Sequence, residues 1–265
     1  MTRRLCLVTG ASAGIGAAFA RVYAAHGYDL ALTARRAERL EHLAAELRDA
    51  HGVDVIVLPA DLSEPNAVDG LLARIAAEGR VVDALVNNAG YGLPGAYAAT
   101  RWSDQQAFLQ VLLISVCELT HKVLPGMLER GLGRIINVAS LAGLVPGMPG
   151  HTLYGPTKAV LVRFSQGLRQ ETLHTGVHVT ALCPGFTRSE FHDVNGTRAE
   201  TDRMPAWMWQ DAATVAQAGY AAVEANRAVV VTGAPNRLIA ALCKVVPDDW
   251  VLGFVAGRVK RFRKL

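Results

Sequence analysis

The fold is indicated by the stretch Leu5-Cys6-Leu7-Val8-Thr9-Gly10-Ala11-Ser12-Ala13-Gly14-Ile15-Gly16. Its first four residues are apolar and predict a buried strand, and the residues that follow the last glycine have a helical period. Between them, glycines let the backbone turn tightly and approach a pyrophosphate, while the helix N-terminus supplies free N–H groups and a positive dipole. A glycine triplet alone is a weak signal. Its position directly after the first strand favours a dinucleotide-binding loop.

Short apolar runs alternate with segments of helical period along the rest of the chain. This alternation is typical of βαβ units around a parallel sheet. The predicted strands are Leu5–Val8, Leu30–Thr33, Val53–Leu58, Ala84–Val86, Arg134–Val138, His178–Leu182 and Val229–Val231. The predicted helices lie near 15–26, 37–50, 64–78, 104–130, 154–174 and 211–225, with Ser63 capping the third. We expect an α/β protein with a Rossmann-type, doubly wound sheet of about seven parallel strands and helices on both faces.

Length and charge predict one large α/β domain that does not bind nucleic acid. The chain has 265 residues, 51% of them hydrophobic, and shows no linker or internal repeat. Its formal net charge is +4, but five basic residues lie among the last eight positions. Because the rest of the chain is close to neutral, the high isoelectric point describes the tail and indicates no basic binding face.

The cysteines and the N-terminal residues predict a cytoplasmic protein without a metal site. Cys6, Cys117, Cys183 and Cys243 are scattered and form no paired spacing, which indicates core residues in a reducing compartment. The apolar run Leu5–Val8 is too short for the core of a secretory signal. No uninterrupted apolar run approaches the roughly 18 residues that a membrane span requires.

The end of the second predicted strand bears on the choice of dinucleotide. About 20 residues past the glycine loop, an NAD site places an acid on the adenosine ribose. Here the strand leads into Ala34-Arg35-Arg36, and the next acid is Glu38. A guanidinium pairs with a 2′-phosphate, whereas an acid repels it. Two arginines are also common at a solvated helix start, but their position favours NADP(H) over NAD(H).

Six motifs in a fixed order make the chain similar to the short-chain dehydrogenases/reductases. They are Thr9–Gly16, Asp61-Leu62, Asn87-Asn88-Ala89-Gly90, Ser140, Tyr154 with Lys158, and Pro184-Gly185. The resemblance covers roughly residues 3–235. It implies an oxidoreductase that interconverts a carbonyl and a secondary alcohol by hydride transfer. Residues 236–265 also resemble a bacterial ketoreductase-like branch, though less specifically.

Tyr154 and Lys158 are the candidate proton-transfer pair. Four residues apart on a helix, they share one face. A free phenol has a pKa of about 10, too high for efficient proton transfer at neutral pH, and we expect the ammonium and a bound nicotinamide to lower it. Tyr154 would then be the general acid and base, and Lys158 would also bind the nicotinamide ribose. Ser140 would hold the substrate oxygen at the carboxyl edge of the sheet.

The resemblance also implies where the rest of the cofactor lies. Asp61 would contact the adenine amine, the segment Asn88–Gly90 the adenosine ribose, and the segment 184–187 the nicotinamide end. Ser12 would reach toward the 2′-phosphate. The expected cofactor-binding residues are Gly10, Ser12, Gly14, Ile15, Gly16, Arg35, Arg36, Asp61, Asn88, Gly90, Tyr154, Lys158, Pro184, Gly185 and Thr187.

Two positions depart from the pattern of the family. Ala13 stands where NADP-dependent members often carry a basic side chain. Leu112 stands where an asparagine usually bends the long fourth helix and anchors a water in the proton relay to the lysine. A leucine can neither hold that water nor satisfy a freed backbone carbonyl. Either another group rebuilds the relay or turnover is slow.

Two other functions stay open on the sequence. A dinucleotide-binding sensor or scaffold with little turnover would account for Leu112, although Ser140, Tyr154 and Lys158 count against it. A 3-oxoacyl thioester reductase would keep the chemistry, but the near-neutral body shows no surface for an acidic carrier. The segment 186–210 is expected to form a substrate lid.

The lid and the loop before Tyr154 supply an apolar set suited to a hydrophobic ketone or alcohol, or to a lid that packs on its own domain. This set is Leu144, Val145, Met148, Leu153, Phe186, Phe191, Met204, Trp207, Met208 and Trp209. The extension 236–265 combines apolar residues with the basic end. It suits a cover over the cleft, a subunit contact in a homo-oligomer or, as the minority interpretation, weak attachment to a membrane surface.

Overall fold

The computed structural model describes residues 3–147, 149–191, 195 and 204–259, with side chains described only up to residue 253. The strands are β1 Leu5–Thr9, β2 Asp29–Ala34, β3 Val55–Pro59, β4 Ala84–Asn87, β5 Gly133–Val138, β6 Val177–Cys183, β7 Thr187–Arg188, β8 Gln210–Asp211 and β9 Val229–Val231. Seven of them form one parallel sheet in the order β3-β2-β1-β4-β5-β6-β9. The short strands β7 and β8 pair separately. The predicted Rossmann-type sheet of seven parallel strands is confirmed.

Helices cover both faces of the sheet. They are α1 Gly14–Ala25, α2 Ala37–His51, α3 Ala67–Ala77, α4 Trp102–Leu109, α5 Ser115–Glu129, α6 Tyr154–Glu171, α7 Ala212–Glu224, α8 Ala234–Leu242 and α9 Asp248–Val259. Buried residues of α1, α2 and α7 form one core cluster with the sheet, and those of α3, α4, α5 and α6 form a second. Because both faces are covered, the central strands read as continuous apolar runs rather than as alternating ones.

The third helix begins later than the sequence predicts. A capping serine followed by Glu64-Pro65 predicts a start at residue 64, but α3 begins at Ala67. The amide and hydroxyl of Ser63 both donate to the Asp61 carboxylate, at 2.9 and 2.7 Å. The serine therefore caps no helix. It holds the turn that follows β3 and orients Asp61.

The helix predicted over 104–130 is interrupted. The helices α4 and α5 are joined by a π-helical turn at Gln110–Ile114, the kind of local widening found at functional sites. By length and composition the stretch Trp102–Glu129 could cross a membrane. In the structure it is the crossover between β4 and β5, and Phe108, Leu112 and Leu119 are buried in the second core cluster. It occupies the position of a core helix in this fold.

Candidate active site

A cleft of about 550 Å³ opens at the carboxyl edge of the sheet. The strand order reverses there, because β1 is followed on one side by β2 and on the other by β4. Open α/β sheets bind their ligands at this switch point. All the residues expected from the sequence to bind cofactor or to act in catalysis line the cleft, with the exception of Gly16.

The glycine loop is packed so tightly that side chains would not fit. Gly10 has φ of +65°, and a Cβ there would lie 2.8 Å from the Cα of Ala89. A Cβ on Gly16 would lie 2.2 Å from the carbonyl oxygen of Gly10. Gly16 therefore lets α1 approach the loop, which explains why it lies behind the cleft wall. The resulting cradle of backbone at a helix N-terminus fits a pyrophosphate group.

Asn88 holds the glycine loop from the neighbouring strand. Its side-chain amide donates to the carbonyls of Thr9 and Gly10, at 2.9 and 3.3 Å. In return, the hydroxyl of Thr9 accepts from the backbone amides of Asn88 and Ala89, both at 2.9 Å. The side chain of Asn88, which was expected to lie along the adenosine ribose, thus holds the glycine loop in shape.

The two arginines after β2 point to different neighbours. The guanidinium of Arg36 donates to the hydroxyl of Ser12 at 3.0 and 3.3 Å. Arg35 lies near Asp61 instead. Burial raises the pKa of the Asp61 carboxyl, but hydrogen bonds from Ser63 and the charge of Arg35 hold it below its ordinary value. Ser12 and Arg36 together form a donor cluster that fits a 2′-phosphate.

Ser140, Tyr154 and Lys158 converge at the inner end of the cleft. Ser140 follows β5 and accepts from the amide of Ala142 at 3.1 Å. Tyr154 is the first residue of α6, and Lys158 lies one turn later with its Nζ 5.8 Å from the centre of the tyrosine ring. The lysine Nζ donates to the carbonyl of Val138 at 2.8 Å. The sheet edge thus fixes the position of the ammonium beneath the tyrosine.

Without a cofactor, the pKa of Tyr154 lies above its ordinary value. Burial raises the pKa of this phenol above its ordinary value, and the hydrogen bond with Ser140 offsets only part of that effect. Burial also lowers the pKa of Lys158 to about 8, against a smaller opposing effect from Cys183. The protein alone therefore does not activate the phenol. A lowered pKa of Tyr154 remains a prediction for the cofactor-bound state.

The position expected to carry asparagine is packed rather than polar. Leu112 is buried in the second core cluster, lies against Gly90, and also lines the cleft. It lies within the π-helical turn, so the helix is distorted here without an asparagine. The buried hydroxyl of Ser115 donates to the carbonyl of Val111 at 2.8 Å. A backbone acceptor of the distorted turn is thereby satisfied from the next helix.

Few of the described residues in the apolar set predicted for the substrate end line the cleft. Among the described members of that set, only Phe191 lines the cleft, where its ring centre lies 5.9 Å from that of Tyr154. Phe186 and Trp209, both within the segment 186–210, pack on each other with ring centres 5.6 Å apart. Met148 lies outside the described residues. Other apolar residues that line the cleft include Tyr91, Ala107, Val111 and Leu112.

Three cleft residues of the lid region were missed from the sequence. They are Ser189, Glu190 and Asn195. Asn195 is buried, and its side-chain oxygen accepts from the amide of Gly92 at 2.7 Å. Its partner lies 103 positions away along the chain. No local pattern signals such contacts, because they depend on which distant segments of the chain meet at the sheet edge.

Comparison with known proteins identifies the family. The short chain dehydrogenase profile matches residues 4–199, well over half of the chain. The chain belongs to the short-chain dehydrogenase family. The resemblance inferred from the six motifs is confirmed, and this dehydrogenase is an NAD(P)-dependent oxidoreductase acting on alcohol or carbonyl groups.

Individual relatives cover most of the dehydrogenase. It is 42% identical over 193 residues to nodulation protein G of Rhizobium sp. (strain N33). The aligned region covers 73% of this chain and 77% of that protein. It is 39% identical over 201 residues to sulfoacetaldehyde reductase of Chromohalobacter salexigens. The aligned region covers 74% of this chain and 78% of the relative.

A solved structure extends the likeness to almost the whole chain. The short-chain dehydrogenase from Sphingobium yanoikuyae in complex with NADPH superposes with a TM-score of 0.80 at 30% identity. The match covers 96% of this chain and 95% of that one. The fold described above therefore also occurs in a family member that holds NADPH.

Proposed function

We propose that this dehydrogenase interconverts a hydrophobic ketone and its secondary alcohol with NADP(H), with Tyr154 as general acid and base. The observation that carries the proposal is the convergence of Ser140, Tyr154 and Lys158 in the cleft that also contains the glycine loop. A proton donor, a group to hold the substrate oxygen and a cofactor cradle are thus within reach of one bound molecule.

The division of labour among these side chains follows from their contacts. When bound, the nicotinamide supplies or accepts the hydride. Ser140 holds the substrate oxygen beside Tyr154, whose hydroxyl gives that oxygen a proton in reduction and takes it back in oxidation. Lys158 is anchored by the Val138 carbonyl. From there its ammonium stabilises the phenolate and binds the nicotinamide ribose.

The proposed cofactor preference rests on Arg36 and Ser12. Their hydrogen bond places a guanidinium and a hydroxyl together at the edge of the cleft beside the glycine loop. A 2′-phosphate is a dianion that such a pair binds well, whereas a ribose hydroxyl gains less from it. The NADPH-bound relative supports this assignment. We assign NADP(H) as the preferred cofactor, with NAD(H) as a weaker alternative.

The walls of the substrate end support a hydrophobic substrate. The apolar side chains that line the cleft include those of Val111, Leu112 and Phe191. Such a wall favours an apolar ketone or alcohol over a highly charged one. We treat the chain as a single domain with a core over 3–235, a lid over 186–210 and an extension over 236–265.

The proposed setting is a cytoplasmic homo-oligomer. All four cysteines are free, which supports a reducing compartment. Exposed apolar side chains lie on Ile114 of the π-helical turn and on Val160 of α6, two elements that contact each other. A second copy of the chain would bury this surface. Weak membrane contact through the basic C-terminal end remains the minority alternative.

The Tyr154→Phe variant tests the proposed function. We expect kcat for NADPH-dependent reduction of a panel of hydrophobic ketones to fall at least about 100-fold, because the proton donor is lost. The Kd for NADPH should stay within about twofold, since the phenol oxygen contributes little to binding the dinucleotide. Fluorescence titration measures the affinity, and steady-state kinetics measure the rate.

Tyr220→Phe is the matched control. Tyr220 packs with Tyr23 in the other core cluster, on the far side of the sheet, so its loss should leave both values unchanged. Ordinary rates in the Tyr154→Phe variant would refute the mechanism. Tight NADPH binding without turnover in the unmutated protein would favour the sensor alternative.

A further inference from the structure

A short segment of the lid lies across the cofactor cleft. After β6 the chain forms β7 and continues through Ser189, Glu190 and Phe191, all three of which line the cleft. The segment 187–191 is called the strap below. It joins the two ends of the cleft, because its residues contact both Tyr154 and the pair Arg36 and Arg39, called the arginine cluster below.

The strap carries a carboxylate to the arginines. Glu190 accepts a hydrogen bond from the guanidinium of Arg36 at 2.8 Å and one from that of Arg39. Arg36 also donates to Ser12. The Glu190 carboxylate therefore binds to Arg36, the guanidinium that is proposed above to bind the 2′-phosphate together with Ser12. Glu190 lies 154 positions along the chain from Arg36.

The neighbours of Glu190 tie this ion pair to the rest of the site. Ser189 lies against Gly14, where a Cβ would come within 2.8 Å of the serine Cβ. On the other side, the ring of Phe191 lies 5.9 Å from that of Tyr154. Three consecutive residues thus meet the arginine cluster, the glycine loop and the catalytic tyrosine.

We propose that the Glu190 carboxylate competes with the cofactor's 2′-phosphate for Arg36 and Arg39, so that binding of NADP(H) displaces the strap. This inference rests on the proposed NADP(H) preference and adds a residue that sets its strength. Two anions on one guanidinium repel each other, and a phosphate dianion forms the stronger charge-assisted hydrogen bonds. The phosphate therefore replaces the carboxylate.

The competition acts on one cofactor only. NAD(H) carries a ribose hydroxyl at this position and leaves the ion pairs of Glu190 in place. The two arginines also hold the pKa of the Glu190 carboxyl below its ordinary value, so the competing anion is present at neutral pH. Displacement of Glu190 then moves Phe191 away from Tyr154, which couples the 2′-phosphate to the shape of the substrate end.

The Glu190→Gln variant tests the inference through binding alone. We expect the Kd for NADPH to fall about threefold to tenfold, the range that one or two partly exposed ion pairs contribute, while the Kd for NADH changes less than about twofold. In an Arg36→Ala background the gain from Glu190→Gln should be clearly smaller, because one of the two contested guanidinium groups is absent.

Glu38→Gln is the matched control for net charge. Glu38 is an exposed acid in the first turn of α2, beside Arg39 in sequence, so its variant removes one negative charge from the same region. It should leave the NADPH affinity unchanged. Circular dichroism and thermal unfolding establish that each variant is folded, and titrations at two ionic strengths separate local pairing from general repulsion.

The outcomes separate this inference from the proposed function. Weaker or unchanged NADPH binding in Glu190→Gln, or an equal gain for NADH, would overturn the competition while leaving the NADP(H) assignment intact. Weaker binding of both cofactors would show that Glu190 fastens the strap over a bound dinucleotide instead. Tighter NADH than NADPH binding in the unmutated protein would overturn the cofactor assignment and this inference with it.

Discussion

Lys158 is the residue whose placement is hardest to reconcile with stability. It is only 5% exposed, and its Nζ reaches a single backbone carbonyl. A buried ammonium without a carboxylate partner is costly, and this cost lowers its pKa to about 8. The chain tolerates that cost at the point where a bound nucleotide would supply further oxygen acceptors. Function, rather than packing, accounts for the lysine.

Lys158→Met should therefore change how stability depends on pH. Below pH 8 the lysine is charged in both the folded and the unfolded chain. Between pH 8 and its ordinary pKa of 10.5 only the unfolded chain keeps the proton. Stability rises with pH wherever the unfolded state binds more protons, so the contribution of Lys158 improves across this window. Methionine has no such contribution.

Urea unfolding of the two proteins at several pH values measures the effect. Relative to Lys158→Met, the unmutated protein should gain free energy of unfolding from pH 8 to pH 10, and the difference should be flat from pH 6 to pH 7. Taking the difference removes the titration of groups common to both proteins. A pH-independent difference over the whole range would mean that Lys158 titrates normally.

At the scale of elements, the junction between α4 and α5 decides the shape of the cleft wall. The π-helical turn at Gln110–Ile114 brings Val111 and Leu112 to the cleft, and Ser115 satisfies the Val111 carbonyl. The distortion is built into the packed helix and does not depend on an asparagine side chain. Leu112 belongs to the core as well as to the cleft.

Leu112→Asn should destabilise the protein rather than improve its turnover. The change removes buried apolar contacts and introduces an amide among apolar neighbours, at a cost of about 2–4 kcal/mol in free energy of unfolding. Leu112→Met, which preserves volume, should cost less than about 1.5 kcal/mol. Urea unfolding compares the two, and NADPH turnover is measured on each. A stable and faster Leu112→Asn enzyme would restore the view that a missing relay group limits the reaction.

For the whole molecule, exposed apolar side chains lie near the C-terminal helices as well as at Ile114 and Val160. Val245 and Trp250 are 78% and 75% exposed, and Leu238 and Leu242 on α8 are exposed as well. An isolated exposed tryptophan is unremarkable, but this group is contiguous along the chain and calls for a partner surface. A cover over the cleft would bury these side chains, which leaves a subunit contact or a membrane surface among the expected roles of the extension, and we favour the subunit contact.

The mass in solution should reveal that contact. We expect sedimentation to give a multiple of the 28.3 kDa chain mass, and the double change Val245→Ser with Trp250→Ser to lower it. Val81→Ser is the matched control, since that valine is also exposed but lies in the loop between α3 and β4. A monomeric protein that pellets with anionic vesicles, and loses this property when it ends at Gly257, would favour membrane attachment instead.

Agreement between sequence and structure is best where a pattern is local. Apolar runs and helical periods predicted the strands of the sheet to within one or two residues, and the spacing of Tyr154 and Lys158 put both side chains at one cleft. Sequence and structure agree less well where a side chain had a second hydrogen-bond partner nearby. Ser63 was expected to cap a helix, but it bonds to Asp61, because a carboxylate two residues away competes with the helix end for its donors.

The sequence by itself determined the doubly wound fold and the glycine loop, since each depends on periodicity or steric freedom along one element. The candidate catalytic residues followed from the resemblance that the order of the motifs carries. Only the tertiary structure decided that Arg36 rather than Arg35 joins Ser12, that Glu190 pairs with Arg36, and that burial raises the pKa of Tyr154. These features depend on which loops cross at the sheet edge and on how much water remains there. Both are properties of the packed chain, because they arise from residues that are distant in sequence and close in space.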